Sequence, residues 1–183
     1  TIDDVMAKFN SCGLAVSVKE RHPPVMVEKN GAKIGIIGAV GDCYSSISSD
    51  KVQGIYFKTD SALTSLVKAE SQKLRAEGAD FIIYTIHDGY DRSSSSVTTI
   101  SDSALSSYYD IALSDGYVDL VFEGHTHQGY RLIDQYGVYH LQGGGENKGL
   151  SHVTVNFNTA NGDNTVTTAE FVPSSKYEQL EDD

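Results

Sequence analysis

Cysteine is scarce in this sequence: Cys12 and Cys43 are the only two in 183 residues. Two thiols cannot make a disulfide framework and their spacing fits no zinc knuckle, so simple burial or a single bridge is what remains for them. Long apolar runs are missing too. Nothing approaches the roughly 18 residues that a membrane-spanning helix needs, and the opening Thr1-Ile-Asp-Asp-Val is not a signal peptide. Positive charge is also short, with 14 Lys and Arg against 25 Asp and Glu and a net charge of -11. That balance repels a phosphate backbone and argues against nucleic acid polymers or anionic membranes as principal partners. Small anionic substrates stay open if a metal supplies local positive charge. With 39% hydrophobic residues the chain can bury one substantial core, and one domain is the expected count.

What is present is an ordered run of elements. A short helix opens the chain, with Thr1 as its cap and Asp3 and Asp4 in its first turn, and Gly13 ends it. A strand over 14–18 stops before Pro23-Pro24, since prolines cannot pair in a central ladder. Strands over 25–28 and 33–40 flank Asn30-Gly31, a dipeptide suited to a tight primed turn. A serine-rich loop fills 44–54. The clearest helix spans 60–77, with Leu63, Leu66, Val67 and Leu74 at helical spacing and Gly78 at its C-terminal stop. A strand over 81–86 follows. After a serine-rich stretch at 93–99 comes a second helix over 101–113 and then a strand over 118–122. Beyond it the pattern turns antiparallel: 130–133, 138–142, 151–158 and 165–172, with turns at 135–137 and 161–163. From Pro173 the chain is polar and acidic, so 173–183 reads as a tail or linker.

The chemistry concentrates in Asp119-Leu-Val-Phe-Glu-Gly-His-Thr-His-Gln-Gly-Tyr130. A buried strand here delivers two imidazoles, His125 and His127, into a glycine-flanked loop where both rings can converge on a metal or a phosphate. A second unit of the same form lies upstream: Gly78-Ala-Asp-Phe-Ile-Ile-Tyr-Thr-Ile-His87-Asp-Gly89. In open α/β sheets ligands bind outside the carboxyl ends of the strands, and His87, His125, His127 and Asp42 all fall just past such ends. Neutral imidazoles suit zinc, manganese or iron, and glycines beside them allow a phosphoryl group to approach.

These residues carry a family resemblance. Gly124-His-Thr-His127 resembles the G-H-x-H motif of calcineurin-like metallophosphoesterases, in particular the bacterial 5′-nucleotidase and 2′,3′-cyclic-nucleotide phosphodiesterase branch. Ile86-His-Asp-Gly89 is similar to the H-x-G histidine of that family. Gly31-Ala-Lys-Ile-Gly-Ile-Ile-Gly38 looks like its internal strand, and Gln142-Gly-Gly-Gly-Glu-Asn-Lys-Gly-Leu150 resembles the segment after its last histidine motif. The likeness covers approximately 1–172.

The resemblance implies part of a four-layer α/β/β/α sandwich with its N-terminal strands missing, so that 1–172 is a partial catalytic domain. It implies a two-metal site hydrolysing a small-molecule phosphate ester, with divalent Mn, Zn, Fe or a similar ion. His87 and His125 would hold one metal and His127 the other, while Asp42 and Asp88 would orient the rings from behind. It also implies export to the periplasm, cell wall or cell surface. Three motifs of the family, D-x-H, a G-D ahead of the internal strand and G-N-H-[DE], have no counterpart here. The expectation is therefore a C-terminal portion of a longer phosphoesterase, a poor catalyst alone. Its strand 34–40 would be left as an exposed edge, to be covered by the remainder of the parent chain or by a homodimer. The alternative is a non-catalytic module of the same fold, used in capsule or envelope assembly.

Overall fold

The computed structural model describes residues 23–41, 44–51, 54, 57, 60–90, 117–134 and 136–177. The expected elements at 1–22, 93–99 and 101–113 lie outside them, as do Asp42, Cys12 and Cys43.

The first described element is the hairpin of β1 (Val25–Lys29) and β2 (Ala32–Val40). Asn30 and Gly31 both have positive φ, 53° and 82°, the pairing a two-residue primed turn demands. A single 3-10 turn, Tyr44–Ser46, follows. Helix α1 (Asp60–Ala76) then buries Leu63, Val67 and Leu74 against the sheet. It ends in a Schellman closure, with Ala79 N donating to Leu74 O and Gly78 N to Arg75 O, both at 2.9 Å. Gly78 takes the left-handed conformation this closure needs, at φ 94°. The helix lies close on β2 because Gly35 has no side chain: a Cβ there would sit 2.8 Å from Leu74 Cδ1.

Strands β3 (Phe81–His87), β4 (Leu120–Glu123), β5 (Gly129–Ile133) and β6 (Tyr139–Gly143) complete a six-stranded sheet in the order β1-β2-β3-β4-β6-β5. The four inner strands are parallel, and β1 and β5 pair antiparallel at the two edges. Two expectations are corrected here. β2 is not an edge, because β1 and β3 pair with it on both sides. The purely antiparallel region beyond residue 130 is also broken, since β6 inserts beside β4 in parallel. Burial explains the second difference. His140, Leu141 and Gln142 of β6 are inaccessible on both faces, which suits an inner strand, whereas β5 exposes Arg131 and suits an edge.

The remaining strands, β7 (Gly149–Asn158) and β8 (Asp163–Pro173), form a separate antiparallel ribbon. Their alternation puts Val153, Val155, Phe157, Val166 and Ala169 onto Phe81, Leu120 and Leu141 of the large sheet. Phe81 and Phe157 meet edge to face with centroids 5.7 Å apart. The opposite face of the sheet carries Ile37, Ile82, Tyr84 and Val121 against Leu63, Val67 and Leu74 of α1. Three layers, α/β/β, are thus described; the outward face of β7 bears His152, Thr154, Asn156 and Asn158 and is exposed. Where a tail was expected from 173, β8 runs through Pro173 and a helical turn, α2 (Ser174–Tyr177), follows, tied by Ser174 N to Lys148 O at 2.9 Å.

Candidate functional site

The carboxyl ends of β2, β3 and β4 lie side by side, so the loops that follow them form one rim. Backbone bonds knit it together: Gly41 N donates to His87 O at 3.3 Å and Gly124 N to Asp88 O at 2.9 Å. The approach is close only because glycines occupy the contact. A Cβ at Gly89 would lie 2.3 Å from the Gly124 carbonyl and 2.6 Å from Gln142 Nε2.

On this rim the His87 and His125 rings lie edge to face, with centroids 5.2 Å apart and planes at 74°. A Cβ at Gly124 would meet His87 Nδ1 at an ordinary contact distance, 3.4 Å, so the ring pair does not itself require glycine there. Both His125 and His127 sit in the left-handed region, at φ 69° and 56°. Such conformations cost roughly 1 kcal/mol or more for a residue with a side chain, and they gather where a side chain's direction matters. His125 Nε2 is also 3.5 Å from Ser46 Oγ, in the loop that the sequence marked only as serine-rich.

His127 goes elsewhere. Its ring lies against Gly145, where a Cβ would be 2.5 Å from Cγ. Asp88 turns its carboxylate back on its own loop, with Oδ1 accepting from Gly89 N at 2.8 Å and Oδ2 in the space Gly41 leaves empty. A catalytic zinc takes three protein donors gathered around it. Among the described residues no group of three His, Cys, Asp or Glu is so placed. The His87–His125 pair brings two imidazoles together, and the described residues alone do not fit a complete metal centre.

Behind the rim is a buried polar chain that the sequence did not announce. Glu123, the last residue of β4, accepts from His140 Nδ1 at 2.7 Å, and His140 Nε2 faces Asp134 Oδ2 at 3.4 Å. All three side chains are fully inaccessible. Burial by itself would lower the His140 pKa, but hydrogen bonds to Asp134 and Glu123 and their charges outweigh it and raise it to about 9. At neutral pH His140 is therefore an imidazolium donating to a carboxylate on each side. Tyr130 adds its hydroxyl to Glu123, and burial, with the Glu123 charge, pushes that hydroxyl's pKa up. One signal could have exposed the chain: His140 and Gln142 alternate on one face of a strand whose other face is apolar.

No family model and no curated protein matches this sequence. Solved structures do. A Staphylococcus aureus protein assigned as a 5′-nucleotidase superposes at a TM-score of 0.63 and 15% identity, over 83% of this chain and 29% of its own. The calcineurin-like phosphoesterase YfkN of Bacillus subtilis does so at 0.62 and 19%, over 87% of this chain and 53% of its own. The chain has the metallophosphoesterase fold. A third phosphoesterase-fold neighbour, the sulfate thiohydrolase SoxB of Thermus thermophilus, gives 0.61 and 19%, over 86% of this chain and 26% of its own. The chain thus spans about a quarter to a half of the length of these neighbours.

Proposed function

We propose that this chain is part of the catalytic domain of a metal-dependent phosphoesterase acting on small phosphate esters such as nucleotides or cyclic nucleotides. The observation that carries the proposal is the His87–His125 pair at the carboxyl ends of adjacent parallel strands of a metallophosphoesterase fold. In this reading His87 and His125 would hold one divalent cation and His127 a second. Asp88 steadies the His87 loop from behind, and Asp42, outside the described residues, would do the same from the end of β2. The missing donors come from the parent polypeptide, as does most of the catalytic power. Bound cations would supply Lewis acidity toward the phosphoryl oxygens. This chain's own residues orient the donors, and the glycines at 89 and 145 let the histidine loops close onto Gln142 and onto the His127 ring. Export to the periplasm, wall or cell surface belongs to the same reading. Among the described residues no helix is long and apolar enough to cross a membrane.

A second reading, a non-catalytic module for capsule or envelope assembly, is favoured by the incomplete donor set among the described residues. It would work through its sheet edges, docked on the parent chain or on a second copy. Manganese-dependent hydrolysis of bis(p-nitrophenyl) phosphate by the full-length parent separates the two. Catalysis that falls at least about a hundredfold in His125→Ala supports the enzyme, because a lost first ligand leaves the metal poorly held. No turnover at any metal concentration would favour the module.

A further inference from the structure

Two hydrogen-bonded chains converge on the backbone of one residue, Tyr90, which lies three positions beyond His87. From below, the Tyr130 hydroxyl accepts the Tyr90 N–H at 2.9 Å while donating to Glu123, two positions before His125. From above, the hydroxyl of Thr126, the residue between His125 and His127, donates to the Tyr90 carbonyl at 3.4 Å. Thr126 Oγ1 in turn accepts from Gln142 Nε2 at 2.8 Å. The backbone of Tyr90 is thus held at its N–H by Tyr130 of β5 and at its carbonyl by Thr126 of the second histidine loop.

We propose that Tyr130 is a positioning residue: its hydroxyl, clamped between Glu123 and the Tyr90 amide, fixes the spacing between the His87 and His125 loops. The clamp is anchored far from the rim. Glu123 is held by His140 on β6, His140 faces Asp134, and Asp134 Oδ1 accepts the Tyr136 and Val138 amides at 2.8 and 2.9 Å. A turn at the opposite end of the β5–β6 hairpin is therefore linked, through buried groups, to the peptide that follows His87. A polar chain this deep is a costly way to fill a core, since apolar side chains of similar volume serve stability at least as well. What the polar chain adds is direction: each bond has one permitted geometry, and the Tyr130 ring, 1% exposed, cannot swing away. The sense of the proposal rests on the His87–His125 pair being the functional one, yet the spacing itself can be measured with no metal present.

The test uses Tyr130→Phe in the full chain, with Thr126→Val as a second variant that loosens the same peptide from the accessible side. The imidazole nitrogen signals of His87, His125 and His152 and the hydrogen exchange of the Tyr90 amide are followed by NMR. Expected are exchange at Tyr90 at least tenfold faster in Tyr130→Phe and shifted His87 and His125 signals in both variants, with His152 unmoved. Folded variants whose His87 and His125 signals coincide with wild type overturn the proposal. So does loss of folded signals in both, which would assign these bonds to stability alone. Manganese added to the wild-type full-length parent, which would supply the remaining donors, separates the two readings. If it broadens neither ring, the metal reading fails, while the clamp still stands or falls on the ring signals.

Discussion

Two histidines of this chain face a glutamate at nearly the same distance, and their surroundings make them opposites. His140 stands 2.7 Å from Glu123 with both side chains inaccessible; His152 stands 3.0 Å from Glu170 with the two side chains 50% and 45% exposed. The first pair lies inside a six-stranded sheet, the second on the outer face of a two-stranded ribbon. Water screens the ribbon pair and would solvate either group alone, so holding them together contributes little. The inner pair has no such fallback. Each partner there is tolerable only because the other is present. Between these extremes lie His87 and His125 on the rim, whose rings meet edge to face with centroids 5.2 Å apart.

Breaking the inner pair should have the largest effect. His140→Ala leaves Glu123 and Asp134 buried beside an empty space, and about 3–5 kcal/mol of unfolding free energy should be lost in urea titration. A loss under about 1 kcal/mol would remove the contrast with the ribbon. Next comes pH. The folded pKa of His140 is about 9 against the ordinary 6.5. Its contribution is therefore complete below pH 6.5, declines as pH rises through 9 and is gone above, on the order of 3 kcal/mol in total. Urea midpoints at pH 6, 8 and 10 should trace this decline in wild type, and a flat profile over that range would show His140 to be neutral.

A smaller effect is expected at the rim. Gly89→Ala drives a methyl into the Gly124 carbonyl and the Gln142 amide, which must move apart at a cost of about 1–3 kcal/mol. The His87 and His125 ring signals should shift with it, which would sharpen the distinction between rings that are positioned and rings that are merely buried. The smallest change is expected on the ribbon, where His152→Ala should alter stability by less than about 0.5 kcal/mol in the same titration.

Much of this organisation is legible in the residues. Asn30-Gly31 set a primed turn, Gly78 closed α1, and the two strand–histidine units brought His87 and His125 to one rim, as the end rule for parallel strands requires. Other features were not. Nothing local distinguished β5 from β6 as the strand that would lie inside the sheet rather than at its edge, because both are five residues long, mix polar with apolar residues and adjoin the same turn. Nor could spacing reveal that His127, two residues from His125, would lie against Gly145 instead of joining the pair. That outcome depends on two left-handed histidines flanking Thr126 and on where the Gly143–Gly145 turn comes to rest.

The amino-acid order alone determined the elements, their periodicities and the positions where glycine permits a sharp turn or close packing, because these depend on neighbours within a few residues. Tertiary structure alone decided which polar side chains would be sealed from water and with whom. Glu123, His140, Asp134 and Tyr130 come from three strands and a turn, and whether an imidazole there is a charged strut or a free ligand is fixed by the dielectric and the partners that only the folded sheet supplies.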